Sequence, residues 1–333
     1  MANPILVEVT RGPLVESIHR GAIAIADASG ALRFALGDIE SPIYPRSSLK
    51  PVQALPLVES GAADAFGLGD EEIALACASH SGEPMHTTRV TAWLARIGCS
   101  ERDLACVAHP PRDEPTWEAM IRAGERPTRL HNNCSGKHAG FLTVARHWNI
   151  ATEGYEHIDH PVQQAVATTL SELSGVSDLP WGVDGCAAPN FALPLSAFAR
   201  ALAKFADPSS LASPRKEAAT RIVNAMMAHP ELVSGTGRAC AILMRACNGV
   251  AVKTGAEGFY AAIIPELGLG ISLKIDDGAG RAAETTIAAL LDKLGVLSDD
   301  KRAREILRAP ITSTRGEIVG ERRPVAALAD ATI

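Results

Sequence analysis

Ser47 and Lys50 stand three residues apart in YPRSSLKP, residues 44–51. On a helix that spacing puts both side chains on one face. A serine hydroxyl is a weak nucleophile until a neighbouring base takes its proton. A lysine can be that base when burial or a second cation disfavours its charged form. The neighbouring Ser48 has Pro51 three residues on, so Ser47 is the better candidate. A serine at a helix N-terminus also gains from the free N–H groups and the positive end of the dipole. The plainer reading of the same stretch is a capping serine followed by a solvated lysine.

Two further segments favour chemistry. Ser79 lies in SHSGE, just after the apolar segment EEIALACA, and Lys253-Thr254-Gly255 closes the strand-like run VAVKTG. Ser-x-x-Lys, a loop serine and then Lys-Thr-Gly is the order found in serine β-lactamases and penicillin-binding proteins, where the second lysine adds positive potential. The middle segment here, Ser79-His80-Ser81, lacks the asparagine expected at its third position.

A second constellation is built on sulfur. HNNCSGKHAG, residues 131–140, brings Cys134, Lys137 and His138 within about one helical turn, and WGVDGCAAPN, residues 181–190, offers Asp184 and Cys186. Two thiolates and one nitrogen or oxygen donor make an open zinc site with water in the fourth position. By spacing alone His138 is the usual nitrogen donor, because a lysine must first lose its proton. The alternative is that both cysteines are small buried apolar residues.

These residues must be positioned by a fold, and the chain is long enough for a large core at 333 residues, 47% apolar and 21% charged. The net charge of −6, with no basic run, argues against nucleic acid or an anionic membrane surface as partner. No targeting segment or membrane span is evident, and the seven cysteines are odd in number and irregularly spaced. A cytoplasmic protein with reduced thiols is therefore expected. There is no Walker A sequence, G-x-G-x-x-G after a strand, H-E-x-x-H or G-x-S-x-G.

Strands are predicted over 5–10, 22–27, 32–36, 239–246, 249–254, 259–264 and 269–275. Helices are predicted from about 47 to 61, with Pro56 kinking the first, and over 86–97, 139–148, 160–174, 195–205, 214–228 and 282–294. The expected architecture is α/β of the α+β kind. It is one catalytic domain spanning 1–333, with a mixed, mostly antiparallel sheet from about 1–45 and 235–333 and a mainly helical part from about 46–234. The last helix would cover one face of the sheet.

Taken together, YPRSSLK, SHSGE, HNNCSGKH, VDGC and VKTGAEG resemble the rhizobial-type asparaginase II family of L-asparaginases over roughly residues 5–328. The resemblance implies a fold like serine β-lactamases and serine-type glutaminases, and hydrolysis of L-asparagine to L-aspartate and ammonia. It implies that Ser47–Lys50 and Ser79–Lys253 are paired Ser/Lys tandems. It also implies that Cys134, Lys137 and Cys186 hold Zn2+, which sets Lys137 in the place that spacing gave to His138. Arg46, His80, Glu83, Asp184 and Ala256 are then expected at the substrate, Ala256 through its backbone N–H. A homodimer is also implied. L-Glutaminase and a β-lactamase-like hydrolase are the alternatives.

Overall fold

Leu14–Asp27, a 14-residue strand, organises the sheet. Its first half pairs with Ile5–Arg11 and its second with Leu269–Ile275, while Leu32–Leu36 joins it at Ile23–Ala26. The coordinates are a computed structural model that describes residues 2–329. The sheet has eight strands, in the order Ala309–Thr312, Ile318–Pro324, Ile5–Arg11, Leu14–Asp27, Leu269–Ile275, Phe259–Ile264 and Ala251–Thr254, with Leu32–Leu36 off this path. Every neighbouring pair is antiparallel.

The central strand Leu269–Ile275 is buried on both alternations, so each face of the sheet must be covered there. The helix Gly280–Lys293 packs on this sheet, as expected for the last long helix. The helix Leu195–Ala206 covers it as well. Ser272 Oγ donates to the Leu195 carbonyl at 2.7 Å, which brings the helix start onto the strand.

Two compact units result. One comprises the chain up to Ser48, Leu193–Asp207 and Ile242 onward; the other comprises Leu49–Ala192 and Pro208–Ala241. The first is the sheet unit. It differs from the expected sheet region chiefly by recruiting Leu195–Ala206 from mid-chain. The expected domain of 1–333 includes Met1 and 330–333, which lie outside the described residues.

The second unit is mainly helical. Its helix Ser135–His147 is buried through eleven consecutive residues, Ser135–Ala145. A helix enclosed all round is ordinarily apolar. This one begins Ser-Gly-Lys-His, so its buried polar groups require partners. Those partners form part of the site described below.

Several expectations change. Residues 239–246 form a helix, Ala239–Ala246, rather than a strand. The predicted first long helix is divided into Lys50–Gln53 and Leu55–Glu59, with Ala54 between them and Pro56 in the first turn of the second. Among the described residues no helix is long and apolar enough to cross a membrane.

Candidate active site

Ser47 and Ser48 lie in the short 3-10 turn Arg46–Leu49, which leads directly into Lys50–Gln53. Arg46 adopts a left-handed backbone, φ 52°, a conformation that non-glycine residues seldom hold. Ser48 is fully buried, and its Oγ donates to the Lys253 carbonyl at 2.7 Å. Gly255 makes this contact possible: a Cβ there would lie 2.4 Å from the Pro45 carbonyl and 3.2 Å from Ser48 Oγ. The Lys-Thr-Gly segment thus presses against the serine turn and consumes the Ser48 hydroxyl proton. Ser47 is half-buried and remains the accessible serine of the pair.

Lys253 is 2% exposed and sits on Ala251–Thr254, with its Nζ donating to the Thr254 carbonyl at 3.0 Å. Ala256 follows in a tight turn in which the Gly255 N–H donates to the Phe259 carbonyl at 2.8 Å. The next residue, Glu257, is also left-handed at φ 56°.

In the helical unit Lys50 is 1% exposed. Its Nζ lies 3.0 Å from Ser79 Oγ and 3.1 Å from Cys134 Sγ, and also donates to the Ala78 carbonyl. This amine therefore joins the serine/lysine and sulfur constellations, which the sequence presented as separate. Ser79 is held by its own N–H, which donates to the Val233 carbonyl at 2.9 Å.

His80 is fully buried with both ring nitrogens engaged. The Gly82 N–H donates to Nδ1 at 3.2 Å, so the ring proton is on Nε2, which donates to Ser135 Oγ at 2.9 Å. Ser135 passes its own proton to the Leu130 carbonyl. Burial first, then the positive charge facing it from His86, Lys50, His109 and His131, holds His80 well below its usual pKa. His80 braces the loop and has no ring nitrogen left for a ligand. Glu83 is similarly occupied: Ser81 Oγ donates to its carboxylate at 2.5 Å, and the Thr236 N–H and hydroxyl donate at 2.8 and 2.7 Å.

The sulfur cluster is compact. Lys137 Nζ lies 2.9 Å from Cys186 Sγ. A hydrogen bond from Cys134 and the charge of Lys137 outweigh burial and lower the Cys186 pKa to about 4. That same hydrogen bond, with burial, pushes Cys134 up to about 12. Burial opposes the Lys137 charge, but the charge of Cys186 and its hydrogen bond prevail and the Lys137 pKa rises. The stable arrangement is a Cys186 thiolate facing a Lys137 ammonium, with Cys134 retaining its proton. Asp184 lies close enough to favour the Lys137 charge further. After Cys186 the chain turns through Ala187 at φ 76°.

His138 points elsewhere, with its Nδ1 2.7 Å from the Tyr155 hydroxyl. The nitrogen donor suggested by spacing is therefore displaced by Lys137. Among the described residues no three or more His, Cys, Asp or Glu are grouped to hold a metal. The converging set is instead two sulfurs and one amine. It fits a soft divalent ion by donor chemistry, provided that the lysine and Cys134 give up their protons.

The chain matches the family model described as L-asparaginase II over residues 7–324. No curated protein matches it. Among solved structures, Mglu in its native form shares 16% identity across 85% of this chain and 66% of its own, with a TM-score of 0.46. A putative beta-lactamase from Bacteroides dorei shares 14% identity across 77% of this chain and 84% of its own, with a TM-score of 0.41. A beta-lactamase from Mycobacterium bovis shares 13% across 79% and 89%, with a TM-score of 0.39.

Proposed function

Because the chain belongs to the L-asparaginase II family, we propose that this amidohydrolase converts L-asparagine to L-aspartate and ammonia. The observation that carries the reading is the shared Lys50 amine, 3.0 Å from Ser79 Oγ and 3.1 Å from Cys134 Sγ. Ser47 attacks the side-chain amide carbon. Lys50, three residues on, accepts its proton. Ser79, bonded to that amine, delivers a proton to the departing ammonia. Water then cleaves the acyl-serine. Backbone N–H groups of Ser47 and Ala256 are assigned to the oxyanion, where losing one donor typically costs on the order of 10²–10³ in rate. Lys253 is assigned as the second lysine of the set on its Lys-Thr-Gly motif, and Arg46 and Asp184 as substrate contacts. His80 and Glu83 hold the loop that carries Ser79.

Cys134, Lys137 and Cys186 would hold Zn2+. A bound zinc ion supplies an electrophilic anchor for polar substrate groups. On the family alone we also assign a homodimer and a cytoplasmic location. The decisive experiment is ammonia release from asparagine, glutamine and a β-lactam at equal concentrations, with zinc content measured on the same samples. Asparagine should be hydrolysed fastest, with about one zinc per chain in wild type and little in Cys186→Ala. One methylene separates glutamine from asparagine and is worth only about 1–3 kcal/mol, so measurable glutaminase activity is expected. Faster release from glutamine, or β-lactam turnover alone, would reverse the substrate assignment.

A further inference from the structure

Lys137 Nζ and Cys186 Sγ lie 2.9 Å apart, with Lys137 3% and Cys186 5% exposed. Both belong to the helical unit. Lys137 stands in the first turn of Ser135–His147, inside its buried stretch, and its Nζ also lies 5.6 Å from the centre of the Phe141 ring. Cys186 is fixed by its own turn. The Ala187 N–H donates to the Asp184 carbonyl at 2.9 Å, and the Asp184 N–H to the Ala188 carbonyl at 3.0 Å. Two separate elements therefore hold an amine against a sulfur, and no backbone movement is needed to join them.

Gly185 and Ala187, on either side of Cys186, are exposed. A sulfur this enclosed, close behind an exposed turn, admits a peroxide more readily than a soluble thiol. Once oxidised, it meets the adjacent amine before an outside reductant, and a nucleophile held in contact acts at high effective concentration. Cys134 is the competing partner, but its Sγ already receives Lys50 Nζ at 3.1 Å.

We propose that Lys137 and Cys186 form an oxidative modification site, at which hydrogen peroxide joins them through a sulfur–nitrogen bond that thiols reopen. The Cys186 sulfur attacks one peroxide oxygen, the O–O bond breaks and hydroxide leaves. Sulfur is oxidised by two electrons to the sulfenic acid, and peroxide is reduced. The hydroxide takes a proton from the Lys137 ammonium and becomes water. The freed amine attacks sulfur, the S–O bond breaks, and the hydroxyl leaves as a second water with one amine proton. Thiolate, ammonium and one peroxide thus give a sulfenamide and two waters. The link goes beyond the asparaginase reading and does not depend on it. It removes Lys137 and Cys186 as donors for the proposed zinc ion.

Peptide mapping of the full chain tests this, after chelator dialysis, peroxide treatment and alkylation of the remaining thiols. Trypsin does not cut at a modified lysine. Residues 130–146 should therefore appear uncut after Lys137, joined to 147–200, and lighter by two hydrogens than the two peptides together. Dithiothreitol should separate them and restore the cut. Lys137→Gln should give no link and collect sulfinic acid at Cys186 instead. A Cys134–Cys186 disulfide with normal cutting after Lys137 overturns the proposal. So does Cys186 that stays a thiol, or reaches sulfinic acid in wild type without a link. Zinc uptake should fall in step with the linked fraction and return with dithiothreitol; undiminished uptake by linked protein also overturns it. A link in protein that takes up no zinc before oxidation supports the modification and sinks only the zinc assignment.

Discussion

Two adjacent serines show how little sequence separates a reacting hydroxyl from a structural one. Ser48 Oγ is buried and donates to the Lys253 carbonyl, whereas Ser47 stays half-exposed. Ser48→Ala removes one buried hydrogen bond, for a cost of about 1 kcal/mol in stability. Turnover should remain near wild type. Ser47→Ala removes the proposed nucleophile and should lower kcat by roughly 10⁴-fold or more with little change in melting temperature. Ammonia assays and thermal melts on the two variants decide the matter. An active Ser47→Ala with a dead Ser48→Ala would transfer the chemistry to the other serine.

At the scale of elements, the loop of residues 79–83 carries Ser79 of the proposed machinery. It is tied to the helix Pro230–Ser234 by the Ser79 N–H bond to Val233, and to Thr236 just after that helix by Glu83. Gly235→Ala tests that tie. Its Cβ would lie 2.0 Å from Ser81 Oγ and 2.9 Å from Glu83 Oε1, at a φ of 118°. A cost of about 2–4 kcal/mol and reduced kcat are expected. Gly237→Ala is the control: φ is 70°, with nothing within 4 Å of its Cβ, so about 1 kcal/mol of backbone strain is all it should show. Urea melts would measure both, and equal costs would show that the close approach is relieved elsewhere.

Such ties explain what could be read beforehand. The strand run AIAIA and the Ser-x-x-Lys spacing are local signals. Residues 239–246 were expected as a strand because an apolar run of this length has no decisive period. The strands Ala309–Thr312 and Ile318–Pro324 escaped because their residues are largely polar or exposed, leaving no apolar alternation. The Lys50–Cys134 contact spans 84 positions, and no spacing rule reaches that far. The signal that would have found it is chemical: a fully buried lysine must find acceptors.

Taken as a whole, the molecule places three neutral histidines in the core of its helical unit, and this sets its response to acid. His80, His86 and His138 are each fully buried. Burial is the leading cause of the lowered pKa in all three, and it takes His138 down to about 3. His80 and His86 stack with ring centroids 4.7 Å apart, so protonating one would further oppose protonating the other. Since an unfolded histidine titrates near 6.5, the unfolded chain binds more protons than the native one below that pH. Stability is then complete above about pH 6.5 and is lost as pH falls toward the native values. Each histidine can contribute up to about 1.4 kcal/mol per pH unit in that window. A fall of about 2–4 kcal/mol between pH 6 and 5 is expected, allowing for partial relaxation of the buried sites. Carboxylates add little there, because their unfolded pKa values lie near 4. The sheet unit should lag, because none of these three rings lies in it. Urea melts at both pH values, followed with a probe in each unit, would measure the loss and its order. A flat stability profile across that interval would mean that the buried rings find compensation when protonated, and that the helical core is not the acid-sensitive part.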